Sequence, residues 1–151
     1  KFSTFGFESP EALINLFKQN KGSDTALKES HYKKMTQIMH TLMHKNLGYI
    51  SALYVEPNHL CAGVFFMEWQ GRITFLFSAA DDLGKENHAM TKILDEFFIL
   101  QSGKPLLFDF EGSNIPNLAR FYKGFGAEVE TYQNYKRNLL PIPGSIIQKL
   151  F

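Results

Sequence analysis

The hydrophobic pattern of the chain changes its period at Gly48, and this change limits the possible folds more than any other feature. Before Gly48, apolar residues recur every three or four positions, as they do on one face of an α-helix. After Gly48, β-branched and aromatic residues come in runs that are typical of strands. The sequence therefore predicts helices first and a sheet afterwards.

Two helices are predicted before the change of period. Ser9, Pro10 and Glu11 supply a capping residue, a first-turn proline and a first-turn acid, and the apolar stripe that follows predicts a helix to about Asn20. A second stripe predicts a helix over about 28–46. Each helix is therefore expected to have one apolar side.

The predicted strands of the first half form an antiparallel meander. Gln70-Gly71 is typical of a tight hairpin turn, and a second turn is expected over 56–59. A weaker alternation near the start predicts a short edge strand. The predicted strands are Lys1–Phe7, Gly48–Val55, Leu60–Trp69 and Arg72–Ala79.

The second half alternates helices and strands. A helix that joins two strands requires a crossover, so the sheet is expected to become parallel here. The fold class is therefore α/β (α+β) with a mixed sheet. The predicted elements are a helix over Asn87–Gln101, a strand over Pro105–Phe110, a helix from near Pro116 to Gly126, and a strand over Ala127–Asn138.

The length of 151 residues predicts one domain, with a core over about 9–138 and a C-terminal extension over 139–151. The longest strongly apolar run, Leu60–Trp69, is far shorter than the roughly 20 residues of a membrane span. Cys61 is the only cysteine, so no disulfide within the chain is expected, and a cytoplasmic location is predicted. The chain begins at Lys1 without a methionine, which leaves room for a segment upstream.

The formal net charge of +1 gives no general argument for binding nucleic acid or a membrane. Acidic residues are concentrated in the middle of the chain, over 80–112. A solvated surface is the ordinary explanation of such a block.

Two polar loops precede predicted helices at the carboxyl ends of strands, over 79–87 and 109–114. Helix N-termini offer free N–H groups to a phosphate or a carboxylate, and ligands bind at this end of crossover strands. The candidate binding residues are Gly84, Lys85, Asn87, Ser113 and Asn114. An ordinary capping loop remains open as an alternative at the first position, because Asp81, Asp82 and Glu86 oppose an anion there.

Three side chains near the second loop are candidates for acid–base chemistry. Asp109 and Glu111 are two residues apart on a predicted strand, so their carboxylates are expected on one face, where mutual repulsion favours a usable base. A capping aspartate and a solvent glutamate explain the same residues equally well. Tyr122, on the next helix, can donate a proton to a leaving thiolate or alkoxide, or can be a core aromatic residue.

No metal site is predicted. His40 and His44 are four residues apart on a helix, but Thr41 stands where a zinc-protease motif requires glutamate, and no third ligand is evident. Cys61 lies in an apolar strand, where packing is a better explanation than nucleophilic catalysis.

The order of elements, together with two segments, resembles the GNAT superfamily of N-acetyltransferases. The segments are Phe108-Asp109-Phe110-Glu111-Gly112-Ser113 and Ala119-Arg120-Phe121-Tyr122-Lys123-Gly124-Phe125-Gly126-Ala127. Within the superfamily the chain is most similar to the Fem-type peptidoglycan aminoacyltransferase-like branch. The pyrophosphate loop of coenzyme A binders is not reproduced around Gly84, where Asp81 and Glu86 replace its other two defining residues.

The resemblance implies a splayed mixed sheet with helices on both faces, and an amine that attacks an acyl donor held at the central strands. Asp109 or Glu111 would be the base and Tyr122 the proton donor, while Gly84, Lys85 and Asn87 would lie at the donor phosphates. The expected activity is N-acyl transfer from acyl-CoA or acetyl-CoA to the amine of a small molecule or peptide. The alternatives are Fem-type transfer from aminoacyl-tRNA to a peptidoglycan precursor, with a tandem domain upstream, and a non-catalytic binding module.

Overall fold

The computed structural model of the chain describes residues 2–5, 8–55, 58–112, 115–133, 135 and 137. These residues form one mixed sheet with helices on both of its faces. A single 3₁₀ turn, Gly22–Asp24, connects the first two helices. In chain order the elements are β1 (Phe2–Phe5), α1 (Pro10–Lys21), α2 (Glu29–His44), β2 (Gly48–Val55), β3 (His59–Trp69), β4 (Arg72–Ala80), α3 (Asp82–Glu86), α4 (Ala89–Gln101), β5 (Leu107–Asp109) and α5 (Pro116–Lys123).

The sheet has five strands in the order β1-β2-β3-β4-β5. Neighbours from β1 to β4 are antiparallel, and β5 is parallel to β4. This arrangement confirms the predicted edge strand, meander and crossover. The crossover runs through α3 and α4, as a parallel connection requires.

One extra residue interrupts the pairing of β3 with β4. Phe65 is opposite Phe77 and Phe66 is opposite Phe75, so Leu76 of β4 has no counterpart on β3. An extra residue of this kind is a β-bulge, which bends its strand and increases its twist. The bend in β4 begins near the residues that lie beside β5.

The first two helices cover one face of the sheet, and the later helices cover the other. α1 and α2 pack on one face, where Leu13 and Met39 are buried against Phe65. α4 and α5 pack on the other face, where Leu94 and Phe97 are buried. The start of α1 is as predicted, because the Ser9 hydroxyl accepts the N–H of Ala12 at 3.1 Å.

The structure corrects two of the predicted elements. The polar loop expected after β4 contains the short helix α3, because the Asp81 carboxylate caps it by accepting the N–H of Gly84. The final strand predicted over Ala127–Asn138 is absent from the described part of that segment, 127–133, 135 and 137. Its exposed side chains, including Val129 and Tyr132, bury too little surface to hold a strand against the sheet. The extension over 139–151 lies outside the described residues.

No helix among the described residues is long and apolar enough to cross a membrane.

Candidate active site

The two parallel strands separate soon after they meet. β5 pairs with β4 only through Leu107, Phe108 and Asp109, and the last pair is Thr74 with Asp109. β4 continues over 75–80 with no strand beside it on that side among the described residues. The bulge at Leu76 lies two residues beyond the last pair. Because the peptide groups on this edge lack a neighbouring strand among the described residues, we call the unpaired edge over 75–80 the β4 slot.

Tyr122 lies at the point where the β4 slot begins. Its ring stacks on Phe110 with a centroid distance of 4.3 Å and an interplanar angle of 23°, and it meets the edge of Phe75 of β4 at 6.1 Å. Tyr122 is 8% exposed. Burial raises the pKa of the Tyr122 phenol above its ordinary value, since the charged form loses hydration. The phenol is therefore protonated at neutral pH.

Asp109 and Glu111 do not share a strand face as predicted. Asp109 ends β5, whereas Glu111 lies beyond it in the left-handed region with φ of 62°, so the alternation of a strand does not extend to it. The Asp109 Oδ2 is 2.6 Å from Arg72 Nη1, and Oδ1 accepts the N–H of Glu111 at 2.8 Å. Asp109 thus has a partner on each oxygen. Glu111 is exposed and has no ion-pair partner among the described residues.

Asp109 and Tyr122 lie on opposite faces of the sheet. Phe108 packs in the layer of α4, so the next residue of the strand, Asp109, faces the layer of α1 and α2. Tyr122 packs with α4. A molecule bound in the plane of the sheet within the β4 slot would therefore have Tyr122 on the side of α4 and Asp109 on the side of α1 and α2.

The candidate binding residues after β4 already bond to their own neighbours. Gly84 is buried in α3 and donates its N–H to Asp81 at 2.7 Å, and Asp81 also bonds to His59 Nε2 at 2.6 Å. The Lys85 ammonium pairs with Asp82 at 2.7 Å, and the Asn87 side chain donates to the Leu83 carbonyl. Asp81 thus stabilises the amino end of α3 in the manner of a bound anion.

The amino end of α4 is different. His88 precedes it in the left-handed region with φ of 53° and makes no side-chain capping bond to the helix. The backbone N–H groups of residues 89–91 have no acceptor among the described residues. These first-turn groups and the positive end of the helix dipole lie in the connection that leaves β4.

The remaining candidate site residues lie away from the β4 slot or outside the described residues. Ser113 and Asn114 are outside the described residues, and their predicted binding role stays a prediction. His40 bonds to Glu11 at 2.7 Å, and the described residues hold no cluster of metal-ligating side chains. Cys61 is buried and donates to the Leu53 carbonyl, and its pKa is raised by burial and by the charge of Asp81.

An open groove of about 330 Å³ lies on α2 and is lined by Lys34, Gln37, Ile38, Thr41 and Leu42. Its described lining comes from one helix, on the face of the sheet opposite Tyr122. The described lining of this groove contains none of the candidate acid–base residues.

Three residues of this region are not identified by the sequence pattern. Arg72 and His59 are 37 and 22 residues from the carboxylates they bind, so spacing along the chain gives no signal for either pair. Phe110 was visible within a run of apolar residues, but its contact with Tyr122 depends on how α5 docks. Gly112 was the sequence signal for the turn that moves Glu111 out of the strand, because glycine readily adopts a positive φ. In the structure its φ is 73°.

Comparison with known proteins identifies the fold. No protein-family model matches the chain, and no curated protein matches it in sequence. A predicted acetyltransferase from Clostridium acetobutylicum, solved with acetyl-CoA, matches with a TM-score of 0.67 and 14% identity, over 92% of this chain and 97% of that one. A possible acetyltransferase from Clostridium difficile matches with a TM-score of 0.64 and 11% identity, over 93% and 99% of the two chains.

An aminoglycoside 6′-N-acetyltransferase from Acinetobacter baumannii also matches, with a TM-score of 0.64, 11% identity, and coverage of 92% and 99%. At these identities the likeness is one of fold. The chain has the α/β fold of the GNAT acetyltransferases, with a mixed sheet and helices on both faces.

Proposed function

We propose that this chain is an N-acyltransferase that transfers an acyl group from an acyl-CoA donor, such as acetyl-CoA, to an amine. The observation that carries the proposal is the separation of β4 from β5 beside a buried, protonated tyrosine. The fold shared with acetyltransferases, one of them solved with acetyl-CoA, supports the same reaction class. A small molecule or a peptide remains the expected acceptor.

The β4 slot suits an extended donor that contains amides. The pantetheine arm of coenzyme A is linear and carries two amide groups, and an extended chain can add to a free strand edge through main-chain hydrogen bonds. Residues 75–80 of β4 offer such an edge. An arm bound there would bring its thioester towards Phe75 and Tyr122.

The donor phosphates are expected near the connection that leaves β4. Gly84, Lys85 and Asn87 belong to this connection, but each already has a bond to a neighbour. The free N–H groups at the start of α4 are the better phosphate ligands, and Lys85 can contribute if it leaves Asp82. Ser113 and Asn114 stay predicted contacts of the second turn.

The reaction forms a C–N bond and breaks the thioester C–S bond. The amine attacks the acyl carbon after losing a proton to a base, and the thiolate leaves with a proton from Tyr122. Glu111 is a better base than Asp109, because its carboxylate is exposed and Asp109 would first have to release Arg72. Holding amine and thioester together supplies several kcal/mol of the barrier, which is the main contribution expected of a positioning site.

Ligand binding and turnover test the proposal separately. Acetyl-CoA should raise the melting temperature, because a ligand at a hundred times its Kd adds about 2.7 kcal/mol to the folded state. Release of free thiol in the presence of a panel of small amines and peptides should report turnover. Tyr122→Phe should keep the thermal shift and reduce kcat about a hundredfold, as expected for loss of a general acid.

An absence of both thermal shift and thiol release with acetyl-CoA and longer acyl-CoA donors would contradict the proposal. Retention of full kcat in Tyr122→Phe would remove the tyrosine from the mechanism. No specific observation favours Fem-type aminoacyl transfer or a non-catalytic module over acyl-CoA chemistry. Aminoacyl-tRNA as donor is the assay that would revive the first of these alternatives.

A further inference from the structure

We propose that Phe110 is a positioning residue, whose ring holds the Tyr122 phenol at the start of the β4 slot. This inference rests on the proposed function in one respect, because that function makes Tyr122 the proton donor. Phe110 follows the last residue of β5 and is 9% exposed. Its ring lies between the sheet and α5, where it joins the wall of the slot to the helix that carries the tyrosine.

The contact of Phe110 with Tyr122 is the closest ring contact that Tyr122 makes among the described residues. The centroids are 4.3 Å apart and the planes differ by 23°, whereas Phe75 and Phe121 meet Tyr122 at 6.1 and 6.0 Å. Phe110 also meets Phe75 at 5.9 Å. Phe75, Phe110 and Tyr122 thus form a triangle of rings, which we call the aromatic triad.

The position of the Tyr122 phenol depends on the aromatic triad, because the triad attaches α5 to the sheet. Within α5, all of whose residues are described, Tyr122 is the buried residue. Phe121 is half-buried, and Phe125 just beyond the helix packs beside Phe98 and Phe110. A small shift of α5 would therefore move the hydroxyl relative to β4 unless the stacked ring of Phe110 opposed it.

Phe110 also controls the surroundings of the phenol. Its ring covers one face of Tyr122, and burial is the cause that raises the pKa of Tyr122. A smaller or flexible side chain at 110 would admit water to that face. The same contact thus determines where the proton donor lies and how firmly it keeps its proton before the thiolate forms.

Phe110→Leu and Phe98→Leu form a matched pair of variants. Both remove a ring from the same core layer, and Phe98 meets Phe108, Phe110 and Phe125 but makes no ring contact with Tyr122 among the described residues. Phe110→Met, which places a flexible, unbranched side chain of about the same size as leucine there, is the second variant at the same position. Circular dichroism and thermal melting establish that each variant is folded.

The first readout needs no ligand. Tyrosine labelled with ¹³C at the ring carbon that bears the hydroxyl reports each phenol by NMR as the pH rises, and the spectrum of Tyr122→Phe identifies the signal of Tyr122. In Phe110→Leu the Tyr122 pKa should fall towards that of an ordinary tyrosine, and in Phe98→Leu it should stay where it is in the parent protein. An unchanged titration in Phe110→Leu and Phe110→Met would overturn the proposal, and so would equal changes in the two leucine variants.

The second readout is turnover with acetyl-CoA and the best amine. Phe110→Leu should lower kcat about tenfold with KM within a factor of two, because displacement of a reacting group by about 1 Å costs up to a hundredfold. Phe98→Leu should keep kcat within a factor of two. A changed titration with unchanged kcat would overturn the positioning role.

The two readouts separate this proposal from the proposed function. If the parent protein turns over no acyl-CoA, the function fails, while the NMR comparison still decides whether Phe110 holds the phenol.

Discussion

The central strands and β5 are built in different ways. β3 lies between two helical layers and is buried without interruption over 61–66, as strands covered on both faces are. β5 has three residues, pairs with β4 alone among the described strands, and exposes more than half of Leu107. The long strands provide the core, and the shortness of β5 leaves the β4 slot open. A longer β5 would pair with 75–80 and close it.

The difference implies that stability and the proposed chemistry reside largely in separate regions. Residues buried in β3 should control unfolding, whereas residues at the end of β5 should alter the β4 slot with smaller losses of stability. Four predictions test this contrast. Two use matched pairs of changes, one concerns the junction of the two regions, and the last concerns a site far from the β4 slot.

Phe66→Ala should cost about 4 kcal/mol of unfolding free energy, because a fully buried phenylalanine leaves a cavity in a well-packed layer. Phe66 stacks on Phe97 with centroids 4.6 Å apart. Phe108→Ala, the matched change in β5, should cost about 2 kcal/mol, because Phe108 is half-buried. Urea unfolding measures both, and equal losses would contradict the contrast.

Gly84→Ala should destabilise the protein by about 3 kcal/mol, although alanine ordinarily favours a helix. A Cβ at this position would clash with the Cys61 carbonyl oxygen, so α3 would have to move away from β3. Gly112→Ala is the control, since its Cβ would meet nothing within 4 Å and its φ of 73° costs about 1 kcal/mol. Thermal melting ranks the two, and a harmless Gly84→Ala would refute the close contact.

The Arg72–Asp109 pair joins the two regions but should contribute little to stability. The side chains are 52% and 29% exposed, so water and salt screen much of the attraction. A double-mutant cycle with Arg72→Met and Asp109→Asn should give a coupling of about 0.5 kcal/mol at low salt, decreasing as salt is added. A coupling above about 2 kcal/mol would show that β5 is held chiefly by this ion pair.

The smallest effect is expected far from the β4 slot, at the bond between His40 and Glu11. The hydrogen bond from His40 lowers the pKa of Glu11, so its contribution is present above the ordinary glutamate value of about 4.3. That contribution is lost as the pH falls through the lowered value. His40→Gln should therefore flatten the loss of stability below about pH 4.3 by a few tenths of a kcal/mol, as followed by urea unfolding.

The regions also differ in how far the sequence predicts them. α1, α2 and the meander depend on local patterns, such as the stripe after Ser9 and the turn at Gln70, and the structure confirms them. The strand expected over Ala127–Asn138 was wrong for the described residues. Alternation alone cannot say whether the edge of a sheet accepts another strand, because that depends on the surface the strand would bury.

The candidate site shows the same limit. Tyr122 was identified from its place on the helix after β5. In the structure it is a core aromatic residue beside the β4 slot, and its role as a proton donor stays a prediction. Asp109 and Glu111 are close in sequence, but a left-handed residue separates their directions. Contacts between distant residues, such as Arg72 with Asp109, require the topology of the sheet.

Because Leu76 has no partner on β3, the side chains of β4 exchange faces of the sheet halfway along the strand. Before Leu76, Ile73 and Phe75 contribute to the layer of α4, and after it Phe77 and Ala79 contribute to the layer of α1. A single inserted residue therefore lets one strand serve two hydrophobic cores with side chains of the same parity. Loss of residue 76 would exchange the layers of every residue that follows in β4, so this strand is a place where the length of the chain is itself under constraint.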